Sequence, residues 1–210
     1  MTRLIWSNGK SEPPDIPADR DRSAGHGVAP GLSLRVLRAG EKAPRFRLRD
    51  QHGRGVTLSE LLVHGSVVLR FCRNENTATC VREFSSLSTL HNDVARLGAT
   101  LIVIAVEPFD PHPLGKDAAS FPFPILSNKK GDVAQSYGLT GQVPAPNGAE
   151  ISDTNRNLTR THEIVSVPAT YVIDQMGFVA VAFVDMECHC LMDHGQILMA
   201  LECLRKRKKS

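Results

Sequence analysis

No stretch of the sequence is apolar for long enough to cross a bilayer, and Met1 to Lys10 holds no sustained apolar region. Both absences argue against a membrane span and a secretory leader, so a soluble, cytoplasmic protein is expected. Cysteines are few and odd in number: Cys72, Cys80, Cys188, Cys190 and Cys203. A chain of 210 residues does not need disulfide stapling, and an odd set cannot pair completely, which disfavours a secreted disulfide framework and fits reduced thiols. The net charge is only +3, and much of the excess lies at the ends, in Arg20, Arg22 and the run Arg205-Lys206-Arg207-Lys208-Lys209. Such a tail reads as a solvated extension, and neither nucleic acid nor membrane is expected as a partner. No internal repeat is evident.

With 41% hydrophobic and 22% charged residues, the chain can bury one substantial core. Residues 1–38 are rich in Pro, Asp, Arg, Gly and Ser and show no helical or strand period, the composition of a flexible N-terminal arm that stays mobile or docks. Residues 39–204 are expected to form one domain, and residues 205–210 a basic tail.

Ala43 to Asp50 alternates apolar and charged residues like a half-buried strand, and Thr57 or Ser59 can start a short helix. Val67-Val68-Leu69-Arg70-Phe71 predicts a buried strand, followed by a turn through Thr79. From Cys80 onward Val81, Phe84, Leu87, Leu90, Val94 and Leu97 recur at helical spacing, and Gly98 ends the helix. Thr100 to Val106 predicts a strand covered on both faces. A short strand at Pro124 to Ser127, a helix from Asp132, and a long irregular loop from Thr140 to about Glu163 follow. Val167 to Asp174 and Phe178 to Val184 read as a hairpin turned by Gln175-Met176-Gly177. Gln196 to Leu204 predicts a final helix, with Cys203 in the core.

This order places Cys80 where a turn becomes a helix. The first backbone N–H groups of a helix lack intrahelical partners and present partial positive charge, which favours the thiolate form of a nearby cysteine. Arg73 and Arg82 add to that field. Cys80 is therefore the candidate reactive atom of a thiol-based redox protein, although a lone cysteine is also an ordinary packing residue. Cys188-His189-Cys190 with His194 suggests zinc only superficially, because the second ligand pair is missing; no metal and no cofactor are expected. These two cysteines either resolve an oxidised Cys80 or have no role, and Cys72 at the strand end is a third resolving candidate.

The succession of elements resembles the thioredoxin superfamily, in particular the peroxiredoxins of the alkyl hydroperoxide reductase and thiol-specific antioxidant group. The resemblance rests on Gly40 to Phe46, Phe71 to Cys80, Leu97 to Ala105 and Val167 to Asp174. It implies an α/β, thioredoxin-like fold, a central mixed β-sheet flanked by helices. The family's Pro-x-x-x-Thr-x-x-Cys motif reads here Arg73-Asn74-Glu75-Asn76-Thr77-Ala78-Thr79-Cys80, so Thr and Cys match and Pro does not. By this resemblance Thr77 holds a peroxide, Cys80 attacks it, and Glu83 orients a guanidinium. The family's late arginine is replaced by Pro168, which falls where thioredoxins place a proline beside the reactive sulfur. Arg73 is then the stand-in cation, or a surface charge. The implied activity is thiol-dependent reduction of hydrogen peroxide or organic hydroperoxides, with a thioredoxin-like protein or small thiol as reductant and a homodimer as an open option. A thiol–disulfide oxidoreductase, disfavoured by Thr77 in place of a first Cys, and a catalytically degenerate binding protein are the alternatives.

Overall fold

The computed structural model describes residues 3–6, 35–72, 77–105, 120–128, 131–144, 151–153, 158–160, 162–185 and 192–209. At the centre lies β4 (Ser66–Cys72), paired in parallel with β5 (Ala99–Ala105) and antiparallel with β11 (Ala169–Ile173). Beyond β11 lie β12 (Val179–Val184) and β1 (Arg3–Trp6); beyond β5 lie β6 (Ile125–Ser127), β2 (Arg47–Arg49) and β3 (Gly55–Thr57). The result is an eight-stranded mixed sheet. Helices α1 (Leu58–His64), α2 (Thr77–Arg96), α3 (Asp132–Ser136) and α4 (His194–Lys209) flank it.

The pleat of β4 divides the core in two. Val67, Leu69 and Phe71 enter one cluster with Leu58 of α1, Val133 and Ala134 of α3, Tyr137 and Tyr171. Val68 and Cys72 enter the other, with Phe84, Leu87, Leu90 and Val94 of α2 and Ile197, Ala200 and Leu201 of α4. Side chains alternate faces along a strand, so Arg70 belongs to the α2 and α4 side. The near-continuous apolar character of β4 and β5 follows from this two-sided burial.

Local signals account for the boundaries. Thr57 caps α1 reciprocally with Glu60: each accepts the other's backbone N–H at 3.2 Å. After α3, Gly138 adopts φ 70°, and a Cβ there would collide with the Arg35 carbonyl, so glycine is required at this crossing.

Four expectations differ from the structure. Helix α2 begins at Thr77, not Cys80, making Cys80 its fourth residue; a first turn needs no apolar stripe, so periodicity marks the start late. The stretch from Thr140 to Glu163, expected as an irregular loop, contains β7 (Thr140–Pro144), which pairs with β10 (His162–Ser166), and β8 (Ile151–Asp153), which pairs with β9 (Leu158–Arg160). Two-stranded ribbons outside the main sheet do not require the apolar alternation by which strands are recognised. Cys203, expected in the core, is exposed, because the buried stripe of α4 runs through Ile197, Ala200 and Leu201 and leaves position 203 on the other side. Arg205, Lys206 and Arg207, read as tail, continue α4. Within the N-terminal stretch, Arg3–Trp6 pair with Val181 to Val184 of β12, and Val36 and Leu37 pack partly buried against the Tyr137 cluster.

Candidate active site

Strand β4 ends at Cys72 and α2 starts at Thr77, so the strand-to-helix junction brings a cysteine-bearing first turn to the edge of the central strands. The 20-residue helix is held there by Phe84, Leu87, Leu90 and Val94, all buried against the sheet. Its position is thus a consequence of core packing, independent of the chemistry at its start.

Below that first turn lies a buried polar cluster. The Arg70 side chain is 4% exposed and Glu83 12%, and Arg70 Nε donates to Glu83 Oε1 at 2.7 Å. Arg70 Nη1 donates to Thr170 Oγ1 at 3.0 Å, across the register pair Arg70–Thr170 of β4 and β11. The Cys72 thiol donates to the same Glu83 oxygen at 3.5 Å. Three elements are therefore tied together by one guanidinium and one carboxylate. Val68, Arg70, Glu83, Thr170, Met192 and His194 line a small void beside the pair. At its rim His194 Nε2 and Ser86 Oγ are 3.4 Å apart.

Pro168 is buried immediately before β11, and its carbonyl accepts the N–H of Asp185, itself 2% exposed, at 3.1 Å. Phe71 pairs with Ala169, so continuing that register by one residue sets position 168 against Cys72. Of the residues anticipated from sequence, Glu83 and Cys72 are in contact, and Pro168 lies at the same end of the sheet. Thr77 and Cys80 occupy the first turn of α2, with their side chains outside the described part. Arg73, Cys188 and Cys190 lie outside the described residues altogether.

Arg70 and Thr170 are the residues that sequence reasoning missed. The available signal was a charge in the interior of Val67-Val68-Leu69-Arg70-Phe71: a buried arginine requires a partner, and Glu83 on the following helix is in reach. Among the described residues, no group of His, Cys, Asp and Glu side chains is arranged to hold a metal ion.

A thioredoxin-like sheet with a cysteine in the first turn of its main helix has a match among families: the model of the AhpC/TSA family fits residues 39–182. The chain belongs to the AhpC/TSA family. A peroxiredoxin-class protein of Mycobacterium tuberculosis is 29% identical over 127 residues, which cover 58% of this chain and 82% of the relative. A bcp-type relative from Helicobacter pylori is 24% identical over 154 residues, 73% of this chain and 92% of the relative. Among solved structures, peroxidoxin BcpB from Mycobacterium tuberculosis superposes with a TM-score of 0.58 at 25% identity, covering 81% of this chain and 97% of that one. The reduced 2-Cys peroxiredoxin of Plasmodium vivax, at 17% identity and a TM-score of 0.60, shares the fold. This AhpC/TSA protein is thus a peroxiredoxin-like member of the thioredoxin superfamily and a thiol-dependent peroxidase. Its substrate class is peroxide and its reductant a thiol.

Proposed function

We propose that peroxide reduction in this chain runs through Cys80, within a catalytic unit spanning residues 39–204. The observation that carries the reading is the place of Cys80, fourth in a helix that follows the central strand and is anchored along its length by core packing. A thiolate there lies within the field of the helix start.

The Cys80 thiolate attacks one peroxide oxygen. As the S–O bond forms the O–O bond breaks; the departing oxygen takes up a proton and leaves as water or alcohol, and Cys80 becomes a sulfenic acid. Thr77 holds the peroxide, Arg73 supplies positive charge beside the turn, and Pro168, immediately before β11, contributes to the substrate-binding site. A thiol then condenses with the sulfenic acid, forming a disulfide and releasing water, and a thioredoxin-like protein or low-molecular-weight thiol reduces that disulfide. Among the resolving candidates Cys72, Cys188 and Cys190, Cys72 is favoured by its place at the end of β4, the strand that leads into the helix carrying Cys80. Among the described residues no helix is long and apolar enough to cross a membrane, and we place the protein in the cytoplasm.

Replacing Cys80 with Ser is expected to abolish peroxide consumption; a variant that still consumes peroxide overturns the assignment. Mass spectrometry of wild-type protein after one equivalent of peroxide identifies the resolving thiol. A Cys72–Cys80 crosslink supports Cys72, and a crosslink to Cys188 or Cys190 excludes it.

A further inference from the structure

The Arg70–Glu83 pair is unusual for its place. Arg70 occupies a strand interior between Val68 and Cys72, on the face packed by α2 and α4, and is almost fully enclosed. A buried ion pair contributes little net stability compared with apolar side chains of similar volume, because both charges must be desolvated. Its value to the molecule therefore has to be sought in what the charges do to a neighbour. Glu83 stands three residues after Cys80 in α2, and helix positions three apart are adjacent on the helix surface. A bare carboxylate at position 83 would oppose thiolate formation at position 80; a guanidinium bound to that carboxylate cancels the opposition.

We propose that the Arg70–Glu83 pair sets the ionisation of Cys80, with Arg70 as a positioning residue acting through Glu83 and not through the substrate. The inference rests on Cys80 being the reactive thiol. It moves the decisive cation from Arg73, in the turn, to Arg70, in the central strand. Arg70 is locked in orientation by two bonds from different elements, to Glu83 of α2 and to Thr170 of β11. The other described titratable groups facing the pair are Cys72 on β4, bonded to Glu83, and His194 of α4, which lines the same void. Among the described residues lining this void, the guanidinium and the carboxylate are therefore the charges whose removal the sulfur should register.

The pair makes a prediction of opposite sign for its two members. The pH profile of Cys80 alkylation by iodoacetamide, resolved to the Cys80 peptide by mass spectrometry, is measured in wild type, Arg70→Met, Glu83→Gln and the double variant. The profile midpoint is expected to move up by about one pH unit in Arg70→Met and down by about one in Glu83→Gln, and to return toward wild type in the double variant. Arg70→Lys, which keeps the charge, is expected to hold the midpoint most of the way to the wild-type value. Midpoints that move in the same direction in both single variants, or in neither, overturn the proposal. Where Arg70→Met does not fold, Glu83→Gln alone decides by the direction of its shift. Alkylation is independent of turnover, so these outcomes are separable from the Cys80→Ser test: loss of peroxidase activity in Cys80→Ser with no opposed shifts removes the electrostatic proposal and leaves the catalytic cysteine intact.

Discussion

The chain contains two tyrosines, Tyr137 and Tyr171, and both have no solvent exposure. Their rings lie 5.3 Å apart and each packs on Phe71, at 5.0 and 6.0 Å. Burial pushes the Tyr137 phenol well above its ordinary range. Burial does the same to Tyr171, with repulsion from a neighbouring ionised Tyr137 and from Glu41 adding to it. A group whose pKa is raised on folding contributes stability that is complete below the unfolded-state value, near pH 10, and is lost as pH climbs beyond it. At pH 11, with both phenols neutral in the folded chain and about nine-tenths ionised in the unfolded one, the loss is about 1.4 kcal/mol per tyrosine and roughly 3 kcal/mol for the pair. The assay is absorbance at 295 nm alongside circular dichroism during an alkaline titration. Phenolate absorbance should stay absent through pH 10 and rise only together with unfolding, and Tyr137→Phe/Tyr171→Phe should flatten the decline in stability between pH 9 and 11. Phenolate absorbance near pH 10 with circular dichroism unchanged would refute the reasoning. The two hydroxyls also differ: Tyr137 Oη donates to the Pro44 carbonyl at 3.1 Å, whereas Tyr171 Oη has no hydrogen-bond partner among the described residues. At neutral pH the Tyr137→Phe change is therefore expected to cost about 1 kcal/mol, and Tyr171→Phe to be neutral or stabilising.

Two further outcomes follow from packing. Leu90→Ala, at a position 1% exposed on the buried stripe of α2, should destabilise by about 2–5 kcal/mol in urea denaturation and lower peroxidase activity at temperatures near the reduced midpoint. Thr57→Ala removes one half of the α1 capping box and should cost about 1 kcal/mol by the same measurement while leaving the peroxide rate unchanged, since α1 packs on the sheet face opposite α2.

The architecture was legible where apolar residues are continuous or regularly spaced. Val67 to Phe71, Thr100 to Val106 and the stripe from Phe84 to Val94 identify the central strands and main helix because burial on both sides of a sheet leaves no room for polar alternation. The strands between Thr140 and Ser166 were not legible, since ribbons outside the main sheet lack the apolar pattern that marks a buried strand. At the site, Glu83 and Cys72 could be named because each adjoins an interpretable motif. Arg70 was passed over because a single charge inside an apolar run is easily absorbed into the strand. Its partner lies 13 positions away, and only the return of α2 across the sheet brings the two together. The side of α4 on which Cys203 falls was not legible because it stands three residues from the buried Ala200, a helical spacing, yet only two from Leu201, which turns it away from the stripe.

The antiparallel pairing of Arg3–Trp6 with β12 also bears on self-association. An open strand border is a template on which a second molecule can build, and here the chain's own opening residues occupy that border. Any dimer that used it would have to displace a tethered competitor whose local concentration greatly exceeds that of free protein. Removing the first six residues should therefore shift the sheet's free border from β1 to β12 and open β12 to pairing with a second copy.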